Sequence, residues 1–180
     1  MPDKDQVKWI IISGPESTGK TELAKNLATR LNTLWVPEYA REYIENLNRP
    51  YSYDDIEHIA RHQLAQERIY VAKLSSGLLI FDTWFIITKV WFDVVFGHCP
   101  DWIITHIQST RIDLFLVCSN DLPWIPDLVR ENGGKKREQL FQIYCNEISS
   151  FGFKYEIIKG AGSIRVENAI TALAIHGLMK

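Results

Sequence analysis

Gly14-Pro15-Glu16-Ser17-Thr18-Gly19-Lys20-Thr21 is the most informative segment of this 180-residue chain. It fills every fixed position of the pattern G-x-x-x-x-G-K-[ST], in which backbone N–H groups cradle the phosphates of a nucleotide. The two glycines leave no Cβ between the chain and a phosphate, and they can adopt backbone angles closed to other residues. The lysine supplies a mobile cation for the terminal phosphates, and the threonine hydroxyl can ligate Mg²⁺. These eight residues therefore predict a phosphate-binding P-loop.

The segments on either side of the P-loop have the patterns that its chemistry requires. Residues 7–13 form an apolar, β-branched run that predicts a buried strand. Residues 22–31 carry leucines at helical spacing, which predicts an amphipathic helix. A strand, a glycine-rich turn and a helix place bound phosphates at the positive end of the helix dipole. The alternative is a chance match to the pattern in a glycine-containing turn, and the two flanks argue against it.

Four further apolar runs predict the rest of a parallel sheet. They cover residues 33–36, 77–82, 113–118 and 154–158 and alternate with helical segments. Such alternation predicts an α/β fold of the P-loop NTPase type, a five-stranded parallel sheet with helices on both faces, similar to nucleoside and nucleotide kinases. The length suits a single domain over residues 1–180.

Charge and composition exclude several classes of protein. The formal net charge is −2, so no global basic field attracts nucleic acid or a membrane surface. No apolar run approaches the ~18 residues of a membrane span, and residues 1–6 lack a signal-peptide core. The three cysteines are far apart and lack metal-ligand spacing. We therefore expect a cytoplasmic protein whose partners are neither nucleic acid nor membrane, and whose oligomeric state is open.

Two carboxylates follow predicted strands, where ligands bind in open α/β sheets. Glu38 comes after the second strand beside Tyr39 and Arg41, and it could deprotonate a substrate hydroxyl while Arg41 holds a phosphate or ribose. Asp82 ends the third strand, at the position from which P-loop proteins hold Mg²⁺. The alternatives are a surface Glu and Arg, and an Asp that only caps the next helix.

A basic cluster interrupted by two glycines predicts a lid over the nucleotide. Arg130 and residues 135–137 supply its cations, and the lid is expected over approximately residues 121–137, before a helix that starts at residue 139. Such a segment can close over a triphosphate and neutralise charge on the transferring phosphoryl group. Arg137 is therefore expected to contact ATP together with Gly14 and residues 16–21. A basic loop without function is the alternative.

Several segments resemble the ribosylnicotinamide kinase family, the kinase domain of NadR-type regulators of NAD biosynthesis. They are the P-loop, Pro37-Glu38-Tyr39-Ala40-Arg41-Glu42, Ile80-Phe81-Asp82-Thr83 and Asp121-Leu122-Pro123-Trp124. The resemblance implies ATP- and Mg²⁺-dependent phosphorylation of the 5′-hydroxyl of nicotinamide riboside. The product would be nicotinamide mononucleotide, a step of NAD salvage.

The resemblance also implies roles for individual residues. It places Lys20 and Thr21 at the phosphates and Mg²⁺, and Arg130 in the lid. It places Asp82 at the metal and the reacting hydroxyl, and Glu38 on the acceptor nucleoside. The match leaves open which of the two carboxylates is the base; Asp82 is our first choice and Glu38 the second. Further candidates for contact with the acceptor are Tyr39, Arg41 and Gln63, the last on a long predicted helix facing the cleft.

Two features depart from the family pattern. The lid of the family usually reads Asp-Gly before its arginine, whereas this chain reads Asp127-Leu128-Val129-Arg130. The chain also lacks the nucleotidyltransferase and DNA-binding parts of the full regulators, so a stand-alone kinase module is expected. The alternative function is a nucleotide-dependent switch that signals through the apolar segment at residues 83–96.

Overall fold

A computed structural model describes residues 7–126 and 130–179 of the chain. Its centre is a parallel sheet whose strands are β1 (Val7–Ser13), β2 (Leu34–Val36), β3 (Gly77–Asp82), β4 (Leu114–Cys118) and β5 (Tyr155–Ile158). The strand order is β2-β3-β1-β4-β5, and every neighbouring pair is parallel. The predicted five-stranded parallel sheet is confirmed.

Helices cover the two faces of this sheet. Those of the described residues are α1 (Lys20–Arg30), α2 (Tyr39–Glu45), α3 (Tyr53–Val71), α4 (Phe85–Phe96), α5 (Asp101–Ser109), α6 (Gly134–Ser150) and α7 (Gly162–Ile175). The side chains of β1 alternate between the faces: Ile10 and Ile12 pack with α1 and α7, while Ile11 packs with α3 to α6. All three isoleucines are fully buried, as expected for the central strand of a covered parallel sheet.

The sheet register brings two predicted site segments together. Ile12 of β1 pairs with Asp82 of β3, so the P-loop and Asp82 leave neighbouring strands at the same edge. Since ligands of open parallel sheets bind outside the carboxyl ends of the strands, this edge is where a site is expected.

One helix boundary differs from the sequence prediction. Helix α6 begins at Gly134, five residues before the expected start at residue 139. The glycine pair favoured a flexible loop in the sequence, but Gly133 is the N-cap and Gly134 the first helical residue. The basic residues 135–137 therefore lie in the first turn of a helix.

None of the helices in residues 7–126 and 130–179 has both the length and the hydropathy that a membrane span needs.

Candidate functional site

The P-loop connects β1 to α1 through backbone conformations that favour glycine. Gly14 has φ +133°, and a Cβ on it would lie 2.7 Å from the carbonyl oxygen of Cys118 on β4. Gly19 has φ +74° and is the N-cap of α1. The loop thus runs close against the neighbouring strand and ends at the helix N-terminus, where the helix dipole favours an anion.

Two buried arginines hold the carbonyl groups of the P-loop. Arg137 donates to the carbonyl oxygens of Glu16 at 3.0 Å and Ser17 at 2.7 Å, and Arg165 donates to that of Thr18. Their exposed fractions are 6% and 3%. In a planar trans peptide the N–H points opposite to the carbonyl. The amides that follow these carbonyls therefore point away from the arginines, as a phosphate-binding loop requires.

The structure places Arg137 against the backbone of the P-loop, whereas the sequence predicted a contact with ATP. Its Nη1 donates to the carbonyl oxygen of Leu122 at 2.8 Å, so each of the three guanidinium nitrogens donates to a backbone oxygen. It is not among the described residues that line the cleft. Burial is the main cause that lowers the pKa of this guanidinium. Because α6 starts at Gly134, Arg137 lies on the buried side of this helix. There it donates to P-loop carbonyl oxygens and does not face the cleft.

Thr21 and Asp82 bring oxygen atoms together at the end of the P-loop. The Thr21 hydroxyl donates to Asp82 Oδ2 at 2.6 Å. Asp82 is 2% exposed, and its Oδ1 is buried with no hydrogen-bond partner among the described residues. Burial raises the pKa of Asp82, while the Thr21 hydroxyl and the nearby Lys20 lower it. Mg²⁺ prefers such hard oxygen ligands, so the two side chains fit a magnesium ion that also binds phosphate oxygens.

Glu38 lies at the N-cap of α2 and lines the cleft next to the P-loop. Burial raises the pKa of its carboxyl to about 7, and the charge of Asp82 adds to this effect, whereas Lys20 and Arg41 oppose it. Lys20 itself donates to the Pro15 carbonyl oxygen at 2.8 Å. A partly buried carboxyl with a pKa near neutrality can accept a proton from a substrate hydroxyl.

The cleft continues from the P-loop to an apolar and aromatic wall, and its volume is about 290 Å³. The wall consists of side chains from α2, α4, α6 and the loop before α3: Ile44, Tyr51, Ile87, Val90, Trp91, Val94, Val95, Leu140 and Tyr144. The rings of Tyr51 and Trp91 meet edge to face with centroids 5.1 Å apart. The hydroxyl of Tyr51 donates to Glu131 Oε2 at 3.3 Å.

Sequence reasoning did not find this wall, although α4 carries a signal for it. Its apolar residues 87, 90, 91, 94 and 95 recur at helical spacing, beside a second set at 85, 86 and 92 that is buried in the core. A helix that is apolar on all sides carries two stripes. In α4 one stripe is buried in the core that α4 shares with α3 and α5, and the other faces the cleft.

Side chains of the P-loop also bind the segments on either side of residues 127–129. The Glu16 carboxylate accepts from the Asn132 backbone N–H at 3.0 Å and from its side-chain amide at 2.8 Å. The Ser17 hydroxyl donates to the Pro123 carbonyl oxygen at 3.1 Å and accepts from the Ile125 N–H at 3.0 Å. The predicted lid segment therefore lies directly against the phosphate-binding loop.

The cations of the predicted lid separate into two environments. Arg130 lines the cleft and donates to the Ile125 carbonyl oxygen at 2.5 Å. Lys136 also lines the cleft, from the exposed side of α6. Arg137 instead contacts the carbonyl groups of the P-loop. The departure from the family pattern at Asp127 falls outside the described residues.

Two predicted contacts of the acceptor lie elsewhere. Tyr39 stacks on His62 of α3 with ring centroids 3.5 Å apart, and its hydroxyl lies 3.2 Å from Nε2 of His58. Gln63 accepts from the Thr88 hydroxyl at 2.8 Å and borders a small cavity behind Asp82. Neither is among the described residues that line the main cleft. The structure thus does not bring these two side chains to the main cleft: the first residue of α2 faces α3, and this turn of α3 faces α4.

Arg41 is the remaining predicted acceptor contact. It lines the cleft from α2, where its guanidinium forms an ion pair with Glu45 one turn later, at 2.8 Å. The cleft thus combines a cation and the Glu38 carboxylate at the junction between the P-loop and the apolar wall.

Comparison with known proteins places these features in a family. The family described as AAA domain matches residues 9–165. The trifunctional NAD biosynthesis/regulator protein NadR of Salmonella typhimurium is 29% identical over 140 residues, which are 76% of this chain and 34% of that protein. The chain thus spans about a third of the length of this curated relative.

Solved structures show the same relationship. The chain is similar to the NadR protein in complex with NR, with a TM-score of 0.81 and 25% identity, and to the NadR protein in complex with NAD and AMP-PNP, with a TM-score of 0.77. Each match covers 98% of this chain and 51% of the other. Thymidylate kinase from Ehrlichia chaffeensis shares the fold, with a TM-score of 0.66 at 12% identity over 93% of this chain and 99% of that one.

Proposed function

The chain belongs to the AAA domain family, and we propose that it transfers the γ-phosphoryl group of ATP to the 5′-hydroxyl of nicotinamide riboside. The observation that carries this proposal is one continuous cleft that joins the P-loop, Glu38 and an aromatic wall. A P-loop alone binds a nucleotide, whereas a kinase needs a second compartment for the acceptor beside the terminal phosphate.

The P-loop end of the cleft suits the donor nucleotide. The P-loop amides that Arg137 and Arg165 orient bind phosphate oxygens. Lys20 gives up its hydrogen bond to the Pro15 carbonyl oxygen and donates to the terminal phosphates instead. Arg130, on the opposite side of the cleft, stabilises the charge that spreads over the transferring group. The AMP-PNP in the NadR complex is a triphosphate analogue, which favours ATP as donor.

Thr21 and Asp82 would hold a magnesium ion, as their paired oxygens and the orphaned Oδ1 of Asp82 indicate. When bound, the ion neutralises charge on the phosphate oxygens and orients them for transfer. The protein's part is to keep the two oxygen ligands at the edge of the sheet, one on α1 and one at the end of β3.

Glu38 is the group that we assign to the acceptor hydroxyl. The sequence placed Asp82 first, but Asp82 is hydrogen-bonded to Thr21 and is not among the described residues that line the cleft, whereas Glu38 lines it. Its raised pKa lets it hold the 5′-hydroxyl as an acceptor of a hydrogen bond and take up the proton as the O–P bond forms. Because phosphoryl transfer has a loose transition state, this residue contributes mainly by positioning the hydroxyl.

The aromatic wall suits the base of nicotinamide riboside. The pyridinium ring of this nucleoside carries a positive charge, which the faces of Trp91 and Tyr51 can attract by about 0.5–2 kcal/mol. The Glu131 carboxylate, bonded to the Tyr51 hydroxyl, adds a negative charge to the same end of the cleft. A solved NadR structure contains NR, which supports this choice of acceptor.

The alternative of a nucleotide-dependent switch rested on the apolar helix at residues 83–96. The half-exposed valines of that helix, Val94 and Val95, line the cleft. The exposed apolar side of this helix, which suggested a partner surface, therefore lines the part of the cleft that we assign to the acceptor.

The proposal is tested by incubating the purified chain with ATP, Mg²⁺ and a panel of nucleosides, with products separated by chromatography and weighed by mass spectrometry. We expect nicotinamide riboside to gain one phosphoryl group in step with ADP formation. Product from other nucleosides only would refute the assigned acceptor, and product from none would refute the kinase class.

Lys20→Ala is the variant that links such activity to this site. It removes the cation of the P-loop, and turnover should fall at least about 100-fold while the melting temperature stays within about 3 °C of the parent chain. Lys154→Ala removes a solvent-exposed lysine just before β5, at the end of the sheet opposite the P-loop; it is the matched control and should leave the rate unchanged.

A further inference from the structure

The buried carboxylate of Glu67 connects α3 with α5 and with the N-cap of α4, two residues after Asp82. Glu67 of α3 is 5% exposed and accepts from the indole N–H of Trp84, the N-cap of α4. Its second oxygen lies 2.9 Å from Nε2 of His106 on α5. Trp84 is 2% exposed, and its ring meets those of Phe85 and Phe115 edge to face.

The backbone between Asp82 and Trp84 is strained. Thr83 has φ +69°, a left-handed conformation that a β-branched residue adopts at a cost of about 1–2 kcal/mol. Its N–H donates to the Ile12 carbonyl oxygen of β1 at 3.0 Å, which fixes one side of the turn. Such strain persists only where the surroundings over-determine the conformation. The other side of the turn is fixed by the buried indole of Trp84.

We propose that Glu67 and Trp84 are positioning residues: their hydrogen bond holds the Asp82–Trp84 turn and thereby sets where the Asp82 carboxylate meets Mg²⁺. This inference rests on the metal role assigned to Asp82 in the proposed function. If the indole loses its acceptor, the strained turn can relax, and Asp82 moves with it because only one residue separates them. A displacement of about 1 Å is enough to weaken a site of this kind by a large factor.

The chain offers a matched control pair between α3 and α5. Glu57 of α3 accepts from the indole N–H of Trp102 on α5 at 3.3 Å, as Glu67 accepts from Trp84. Trp102 also carries Arg61 over its ring, at 5.1 Å from the centroid. Since neither Glu57 nor Trp102 adjoins the Asp82 turn in sequence, their loss should not alter metal-dependent binding.

The test measures the dissociation constant of ADP by titration calorimetry, once with Mg²⁺ and once with a chelator, in each variant. The ratio of the two constants reports how much Mg²⁺ strengthens binding, and it needs no acceptor and no turnover. Glu67→Ala and Trp84→Phe should lower this ratio about 10-fold, with less than about 3-fold change in the chelator. Glu67→Gln should stay within about 3-fold of the parent, because its amide oxygen can still accept from the indole.

Asp82→Asn calibrates the measurement, and the melting temperature of every variant is recorded beside it. Asp82→Asn is expected to lower the ratio. If Glu67→Ala and Trp84→Phe then lower only the melting temperature, the positioning role is wrong and the proposed function stands. The same conclusion follows if the Glu57→Ala and Trp102→Phe controls lower the ratio equally. If Asp82→Asn leaves the ratio unchanged, the metal role of Asp82 fails and this inference fails with it. Trp84→Phe keeps the aromatic packing, so the test remains decisive even where Glu67→Ala does not fold.

Discussion

Replacing Gly14 with alanine would place a Cβ 2.7 Å from the carbonyl oxygen of Cys118, a backbone atom on the neighbouring strand. Gly14 also has φ +133°, a conformation closed to alanine. The backbone strain costs about 1–3 kcal/mol, and the forced contact costs about 1–3 kcal/mol more. We therefore expect Gly14→Ala to lower the free energy of unfolding by roughly 2–6 kcal/mol.

Gly97→Ala provides the comparison that isolates the contact. Gly97 ends α4 with φ +69°, but an added Cβ there has nothing within 4 Å. Its cost is the left-handed conformation alone, about 1–2 kcal/mol. For a chain of this size each kcal/mol shifts the melting temperature by about 2–4 °C, so the contact of about 1–3 kcal/mol should make Gly14→Ala melt roughly 2–12 °C below Gly97→Ala.

The assay combines thermal unfolding followed by circular dichroism with titration of ADP in the presence of Mg²⁺. Gly14→Ala should weaken ADP binding by at least about 10-fold, because the loop must leave its path along β4 to relieve the contact. Gly97→Ala should bind ADP as the parent chain does. Equal melting temperatures for the two variants, together with unchanged ADP binding in Gly14→Ala, would refute the close packing of the P-loop on β4.

Substitutions at three further positions test the acceptor carboxylate, the aromatic wall and the support of the P-loop. In the parent chain kcat should rise as pH increases through about 7, because the partly buried Glu38 carboxyl must lose its proton to serve as acceptor; Glu38→Gln should remove that rise and lower kcat about 100-fold in a pH–rate series. Trp91→Leu should raise the KM for nicotinamide riboside about 5- to 30-fold with the KM for ATP unchanged, since about 1–2 kcal/mol of ring contact is lost; an equal rise for ATP would contradict the assignment of this wall to the acceptor. Arg137→Ala should destabilise the chain by about 3 kcal/mol in urea unfolding and weaken ADP binding about 10-fold, because three P-loop and lid carbonyls lose a charged donor. Arg137→Lys should recover only part of this loss, since an ammonium group lacks the planar fork, and full recovery would contradict the three-point role.

Local patterns were sufficient for the parts of the fold that depend on neighbours in sequence. The strand before the P-loop and the helix after it are determined by alternating burial and helical spacing within single segments. The position of Asp82 also followed from sequence, because a strand next to β1 in a P-loop fold ends beside the loop.

Contacts between distant segments could not be predicted in the same way. Arg137 and Arg165 reach the P-loop across more than a hundred residues, and nothing in their local sequence distinguishes them from surface cations. Arg137 was misassigned because the glycine pair before it suggested a loop, whereas tertiary packing extends α6 to Gly134. The orientation of Gln63 depends on the phase of α3 relative to the sheet, which its amphipathic pattern does not define closely enough.

The apolar and aromatic wall of the cleft could not be predicted from sequence either. Trp91 and its neighbours were recognised as apolar, but sequence alone does not tell which of the two apolar stripes on α4 is buried in the core. Only the packing of α4 beside α3 and α6 leaves one stripe for the cleft.

We propose that the cleft transfers the γ-phosphoryl group of ATP to nicotinamide riboside. This reaction can be followed with ATP that carries a radioactive γ-phosphate, incubated with the purified chain, Mg²⁺ and nicotinamide riboside. We expect label in nicotinamide mononucleotide, at the 5′-phosphate, in amounts equal to the ADP formed. Label that appears only as inorganic phosphate, at the same rate with and without the nucleoside, would contradict it.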